Sequence, residues 1–230
     1  MEAGLRRHDL VERVDVIVSW PRNCDYPLWR RFLRDERSRF GRVLVVFTDH
    51  AGDDISGFVR AHLEADCLDS RSVSGDWRDT AVNQALDHST SERVWFTEQD
   101  FLIGEGFWEQ VDGSPAIGWQ EHDDRWHPSC LFVNRDLIER TSRYFGTEPV
   151  DHFYRFGKEL EALTPIKRLV GGFEHLQGTS QNHWLIDSNV DEGVFKRERF
   201  RRYLRDCLDA GVPLHPEWAA RARIEGSAHP

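Results

Sequence analysis

Apolar and polar positions along the chain alternate between two kinds of segment. Val14-Asp15-Val16-Ile17-Val18-Ser19-Trp20 and Val43-Leu44-Val45-Val46-Phe47 are short runs dense in β-branched and aromatic residues, the pattern of buried strands. Pro21 stops the first and Thr48-Asp49-His50 closes the second. Between them Pro27 opens a helical pattern in which Trp29, Phe32, Leu33 and Phe40 share a face, ended by Gly41. Ile55, Phe58, Val59, His62 and Leu63 repeat at helical spacing, and Cys67-Leu68 marks a short third strand. A further helix carries Ala81, Val82, Ala85 and Leu86 on one face, with Asp79 as its expected N-cap. A strand over residues 92–103 follows. Runs such as Val43 to Phe47, apolar on both faces, suit central strands, so this alternation predicts a mostly parallel sheet with helices on both faces.

The second half changes character. Ala116-Ile117-Gly118-Trp119-Gln120 and Ser129-Cys130-Leu131-Phe132-Val133 predict two more strands around a polar run over 121–127, which makes the strands here mixed. Helices are expected over 136–145, aligning Leu137, Ile138, Thr141, Tyr144 and Phe145, and over 151–163, stopped at Thr164-Pro165. Residues 171–184 form a glycine-punctuated loop rich in hydrogen-bonding side chains, a composition that suits function on a rigid scaffold. Phe200, Tyr203, Leu204, Cys207 and Leu208 fit a closing helix, whose solvated face is the basic run over 196–205.

Composition narrows the field. At 230 residues the chain suits one sizeable α/β domain, and nine tryptophans with fourteen phenylalanines supply a core despite modest hydropathy. A formal net charge of −10, with no local lysine or arginine block, argues against a nucleic-acid surface. Cys24, Cys67, Cys130 and Cys207 lie far apart with no C-x-x-C pair, the pattern of reduced, buried thiols. The amino-terminal stretch lacks the apolar core of a signal peptide, and no run approaches the ~18 apolar residues of a membrane span. A cytoplasmic location is therefore expected. Neither a G-x-G-x-x-G nor a G-x-x-x-x-G-K-[ST] turn occurs, which weakens dehydrogenase and P-loop readings.

Chemistry concentrates at Glu98-Gln99-Asp100, where the apolar run Val94-Trp95-Phe96 ends. Alternation along a continuous strand would project Glu98 and Asp100 to one side. Two carboxylates there are costly unless something positive meets them. In an open α/β sheet the carboxyl ends of strands open onto the ligand crevice, so a hard divalent cation held together with a diphosphate is the leading expectation. An ordinary solvated turn is the alternative.

In this order the signals resemble the GT-A type of nucleotide-sugar-dependent glycosyltransferase, a Rossmann-like α/β fold, over roughly residues 14 to 185. Trp77-Arg78-Asp79-Thr80-Ala81-Val82-Asn83-Gln84-Ala85-Leu86 looks like that fold's Arg- and Asn-bearing helix, and Glu98-Gln99-Asp100 stands where its DxD-type motif falls. His127-Pro128-Ser129-Cys130-Leu131-Phe132-Val133-Asn134-Arg135 resembles the strand and turn after its acceptor loop. The resemblance implies one domain over 1–230: a nucleotide-sugar-binding half over 14–103, an acceptor half over 104–190 and a helical tail over 191–230. It also implies a metal bridging the donor's diphosphate, with Asp100 as principal ligand, Glu98 bound to the metal directly, through water, or instead to the donor's sugar or ribose, and His175 as the ligand from a late loop, for which His183 competes. Imidazole favours manganese over magnesium, so Mn2+ is expected ahead of Mg2+. Asp151 stands where an inverting enzyme's general base falls, with Asp123 and Asp124 next and Glu121 third. For the donor, the resemblance points to Ser19, Trp20 and Arg22 after the first strand, Asp49 at the base edge, and Arg78 with Asn83 near phosphate. The alternative for Trp20 is core packing, and for Arg78 a salt bridge. The acceptor, a glycan or small molecule, is unidentified. Two rival functions remain: a non-catalytic nucleotide-sugar or glycan-binding domain, which Glu98 in place of Asp leaves open, and a sugar-nucleotide pyrophosphorylase. The second wants a glycine-rich loop where this chain has Trp20-Pro21-Arg22-Asn23-Cys24.

Overall fold

Val14–Pro21 (β1) is paired on both sides, in parallel, and its Val, Ile and Trp side chains are buried alternately in two apolar layers. It belongs to a computed structural model that describes residues 13–22, 25–48, 54–69, 77–99, 101–120, 126–141, 152–175, 205–214 and 216. The further strands are β2 (Phe40–Thr48), β3 (Asp66–Asp69), β4 (Arg93–Glu98), β5 (Phe101–Ile103), β6 (Ala116–Gln120), β7 (Trp126–Asn134), β8 (Lys167–Arg168) and β9 (Phe173–His175). The helices are α1 (Pro27–Asp35), α2 (Ser56–Ala61), α3 (Trp77–His88), α4 (Arg135–Arg140) and α5 (His152–Leu163).

Seven strands form one sheet in the order β3-β2-β1-β4-β7-β6-β8, and β5 pairs with β9 in a separate two-stranded sheet. β3, β2, β1 and β4 run parallel, whereas β7 is antiparallel to both β4 and β6. This is the expected α/β sheet, parallel first and mixed later. The chain moves outward from β1 to β3 and returns at β4, so the carboxyl ends of β1 and β4 flank the topological switch point, where α/β sheets open their ligand crevice.

One face of the sheet buries Trp29 and Leu33 of α1, Val59 of α2, and Phe101 and Phe107. The other buries Val82, Ala85 and Leu86 of α3, Leu137 and Ile138 of α4, and Phe156 and Leu160 of α5. Trp95 is central to the first layer, stacked on Phe132 at 5.0 Å and met edge-on by Trp29 at 5.8 Å. Asp15 is buried at the amino end of β1 and accepts hydrogen bonds from Ser91 Oγ and from the backbone N–H groups of Thr90, Ser91 and Arg42. Burial pushes its carboxyl up, but those bonds outweigh it and hold the group below the ordinary carboxylate range. Cys130 and Cys207 are buried and Cys67 is half-buried, while Cys24 lies outside the described residues.

Several expected boundaries move. The first helix ends at Asp35: a tighter 3-10 turn over Arg37–Arg39 follows, in which the Arg39 N–H bonds Glu36 O at 2.9 Å, and Phe40 is extended, paired with Val14. Phe40 thus starts β2 instead of continuing a helical face: sheet pairing overrides the spacing. α3 begins at Trp77, so Asp79 lies inside its first turn and is not its cap. β7 begins at Trp126, which takes Trp126 and His127 out of the polar run and into the sheet. In the segment over 205–209 Cys207 is buried, but Leu208 is 40% exposed, so the two do not share a buried face.

Candidate functional site

The expected strand over 92–103 is two strands. β4 ends at Glu98, Gln99 forms a buried turn, and β5 leaves for the small sheet with β9. The alternation that aligned Glu98 with Asp100 therefore stops at this turn, and Asp100 itself lies outside the described residues. Glu98 ends β4 beside Ser19 of β1, its partner in the parallel register, at the switch point.

The small sheet brings the late chain to this spot. β9 pairs antiparallel with β5, setting His175 opposite Phe101, shortly after Glu98. Gly172 makes this possible: its φ of +73° lies in the left-handed region, and a Cβ there would sit 2.8 Å from the Phe107 backbone nitrogen. Its carbonyl accepts the Gly104 N–H at 2.8 Å, and Gln110 clamps the same turn through Gly171 O and the Val170 N–H. Phe173 stacks on Phe101 at 4.6 Å beneath it. His175 Nε2 consequently lies 4.0 Å from Glu98 Oε2, with only 9% of the His175 side chain and 21% of the Glu98 side chain exposed. That spacing exceeds a hydrogen bond. It falls within the maximum of about 4.2 Å that two ligands of one ion can span at bond lengths of about 2.1 Å, and a modest side-chain rotation brings the pair to the roughly 3.4 Å of tetrahedral ligands.

A third ligand-type side chain, not expected from the sequence, completes the group. The ligand atoms of Glu98, His127 and His175 all lie within 4.8 Å of one another. His127 comes from the start of β7, where pairing with β6 is irregular between Gly118 and Gln120. Both Trp126 and Leu131 lie over Gly118, although their odd spacing would place them on opposite faces of a regular strand. The Trp126 indole fits a slot that Gly118 and Gly157 leave open, and its Nε1–H donates to Glu161 Oε1 at 2.7 Å. With Trp126 held there, His127 packs on Trp119 at 4.6 Å and meets His175 at 4.5 Å. Strict alternation from Leu131 puts His127 on the other face. Only the irregularity, a tertiary feature, brings it here.

The donor-side residues divide. Ser19 is buried in register with Glu98. Trp20 is fully buried, edge-on to Tyr26 at 5.7 Å, so the core holds its ring and no face is left for a base. Packing is the reading of Trp20 that stands. Arg22 bonds Asp69 at 3.0 Å and lies 3.6 Å from Asp54, which bridges the end of β1 to the loop before α2 and to β3. Asn83 is partly buried on α3, and Arg78 lies in that helix's first turn. Asp49, Asp123, Asp124, Glu121, Asp151 and His183 lie outside the described residues.

No family model and no curated protein matches this chain. Solved structures do. Glucosyl-3-phosphoglycerate synthase from Mycobacterium tuberculosis, in complex with Mg2+ and uridine-diphosphate, aligns with a TM-score of 0.55 at 12% identity, covering 88% of this chain and 81% of its own. The same enzyme with Mn2+, uridine-diphosphate and phosphoglyceric acid gives 0.54 at 12% identity, over 88% and 80% of the two chains. The inositol-1-phosphate CTP transferase from T. maritima gives 0.51 at 11% identity, over 80% of this chain and 96% of its own. At such identities the likeness is one of fold, and it spans sugar transferases and a nucleotidyltransferase alike. The chain has the GT-A type α/β fold of the nucleotide-sugar-dependent glycosyltransferases.

Proposed function

We propose that the protein is a glycosyltransferase that moves a sugar from a nucleoside-diphosphate sugar to an acceptor at the carboxyl ends of β1 and β4. One observation carries this reading: Glu98 ends β4 at the switch point with His175 Nε2 4.0 Å from its carboxylate. An oxygen and an imidazole nitrogen at that separation, largely shielded from water, fit a divalent cation. Glu98 and His175 would hold it, with Asp100 as a further ligand. When bound, such an ion supplies Lewis-acid stabilisation of a departing diphosphate. The fold is also that of glucosyl-3-phosphoglycerate synthase, solved with uridine-diphosphate and either Mn2+ or Mg2+, which supports the same donor class and Mn2+ or Mg2+ here.

The chain's own residues would do the rest. Ser19 lines the crevice beside Glu98. Arg22, tied to Asp54 and Asp69, orders the end of β1 where the nucleotide would enter, with Asp49, Arg78 and Asn83 as its further contacts. The Trp119–His127–His175 aromatic wall excludes water from one side of the cation site. Asp151, with Asp123 and Asp124 as alternatives, would accept the acceptor hydroxyl's proton as general base. Nucleotidyl transfer, the activity of one fold relative, is disfavoured because Trp20-Pro21-Arg22 follows β1 in place of a glycine-rich phosphate loop. A cytoplasmic setting accords with four cysteines that lie far apart with no C-x-x-C pair.

The reading is tested by incubating the full chain with a panel of UDP- and GDP-sugars and Mn2+, and measuring nucleoside diphosphate release. Release from one donor, lost with chelator and in Glu98→Ala and Asp100→Ala, is expected. Release of pyrophosphate from sugar phosphate and nucleoside triphosphate would overturn it.

A further inference from the structure

Resting on the cation site just described, we propose that His127 is a third protein ligand, so that the chain presents a two-imidazole, one-carboxylate centre able to bind a transition-metal ion before any nucleotide arrives. The ligand atoms of Glu98, His127 and His175 lie within 4.8 Å of one another. Two ligands of one ion with bonds of about 2.1 Å stand at most about 4.2 Å apart. That limit holds for opposite ligands; three ligands around one ion stand about 3.0–3.6 Å apart, so a bound ion draws these groups together from separations of 4.0 Å for Glu98–His175 and at most 4.8 Å for the set, by side-chain rotation.

The surroundings hold His127 for this role. Trp126, its neighbour in the strand, is locked by the Gly118–Gly157 slot and by its hydrogen bond to Glu161. Trp119 supports the imidazole from one side at 4.6 Å, and the His175 ring meets it at 63°, an inclined contact that lets nitrogens of both rings turn toward Glu98. The three residues come from β4, β7 and β9, so two sheets fix the site before a ligand binds.

The donor set dictates metal choice. Magnesium and calcium take oxygen ligands and tolerate imidazole poorly, whereas affinity at nitrogen-rich sites rises from Mn2+ to Co2+ along the first-row series. The centre should therefore bind Co2+ more tightly than Mn2+, and both far more tightly than Mg2+, in the absence of nucleotide.

The test uses the full chain, first stripped of metal. Titration calorimetry with Mn2+, Co2+ and Mg2+ alone gives the affinities, and pulsed EPR of the Mn2+-loaded protein counts coordinated imidazole nitrogens. Two imidazoles in the wild type are expected. His127→Phe keeps a ring against Trp119 but has no ligating nitrogen. It should show one imidazole and a Kd weakened on the order of 10- to 100-fold, at least the cost of losing a supporting group around a metal. Because the wild-type imidazole count needs no variant, a misfolded His127→Phe protein would leave the test intact. A single imidazole in the wild type, lost in His175→Ala and retained in His127→Phe, would overturn the role of His127 and leave the Glu98–His175 site standing. No ion bound at all, with UDP or GDP present or absent, would overturn both.

Discussion

His127 and His175 meet with ring centroids 4.5 Å apart and planes inclined at 63°, although one belongs to β7 of the large sheet and the other to β9 of the small one. Each is delivered by a backbone device with no chemistry of its own. A glycine slot holds the Trp126 indole beside His127, and a left-handed glycine turns the chain into the strand that ends at His175. Changing either device should alter geometry while leaving every ligand atom in the sequence.

Gly172→Ala forces a φ near +73° on a residue with a Cβ and drives that atom against the Phe107 backbone. The substitution should cost on the order of 2 kcal/mol in stability. It should also weaken Mn2+ binding, because the β5–β9 pairing sets the distance between His175 and Glu98. Thermal unfolding and metal titration of the same sample check both effects.

Gly118→Ala places a methyl 2.9 Å from both Leu131 Cδ1 and Trp126 Cε3. Overpacking of this kind costs about 1–3 kcal/mol. Displacement of Trp126 should shift the His127 ring as well, and tryptophan fluorescence together with the imidazole count would detect it.

Asp15 ties β1 to the turn before β4 and to β2, so Asp15→Ala should lower stability by about 1–3 kcal/mol by leaving part-buried N–H and O–H donors without their acceptor. The carboxyl is held below its ordinary range in the fold, so its contribution is complete above the unfolded-state pKa of about 3.9. That contribution is lost as pH falls through the lower folded value. The stability gap between wild type and Asp15→Asn should be flat from neutral pH down to about 4.5, then narrow on further acidification. Chemical denaturation across that range would show it.

Arg30 and Asp25 are 3% and 0% exposed and form a two-pronged ion pair at 2.7 and 3.0 Å, while Arg30 Nη2 also donates to Pro213 O at 2.6 Å. Arg30→Met leaves a buried carboxylate and releases the segment around Pro213, so a loss of about 3–5 kcal/mol is expected. The Asp25→Leu/Arg30→Met double variant should recover much of it. Unfolding of the three proteins in urea measures the difference.

The central strands were legible because Val43 to Phe47 are apolar in both directions, a pattern that only a strand covered on two sides requires. Ala116–Gln120 matched its strand residue for residue. Phe40 misled because an apolar residue at helical spacing looks the same whether it continues a helix or starts the strand that pairs with Val14. The union of Glu98 with His175 was anticipated through the resemblance, yet the strand expected to carry Glu98 and Asp100 together bends at Gln99. His127 was illegible for a physical reason. It sits in a polar run, and its face depends on a strand irregularity and on contacts with Gly118 and Gly157, which local periodicity does not encode.

The most direct test of the central claim is calorimetric titration of UDP and GDP, with and without Mn2+, into the wild-type chain, Glu98→Ala and Asp100→Ala. The account predicts that one nucleotide binds tightly, that binding requires the metal, and that either substitution abolishes it. Nucleotide binding indifferent to metal and to both carboxylates, or none at all, would contradict a metal–diphosphate site at the end of β4.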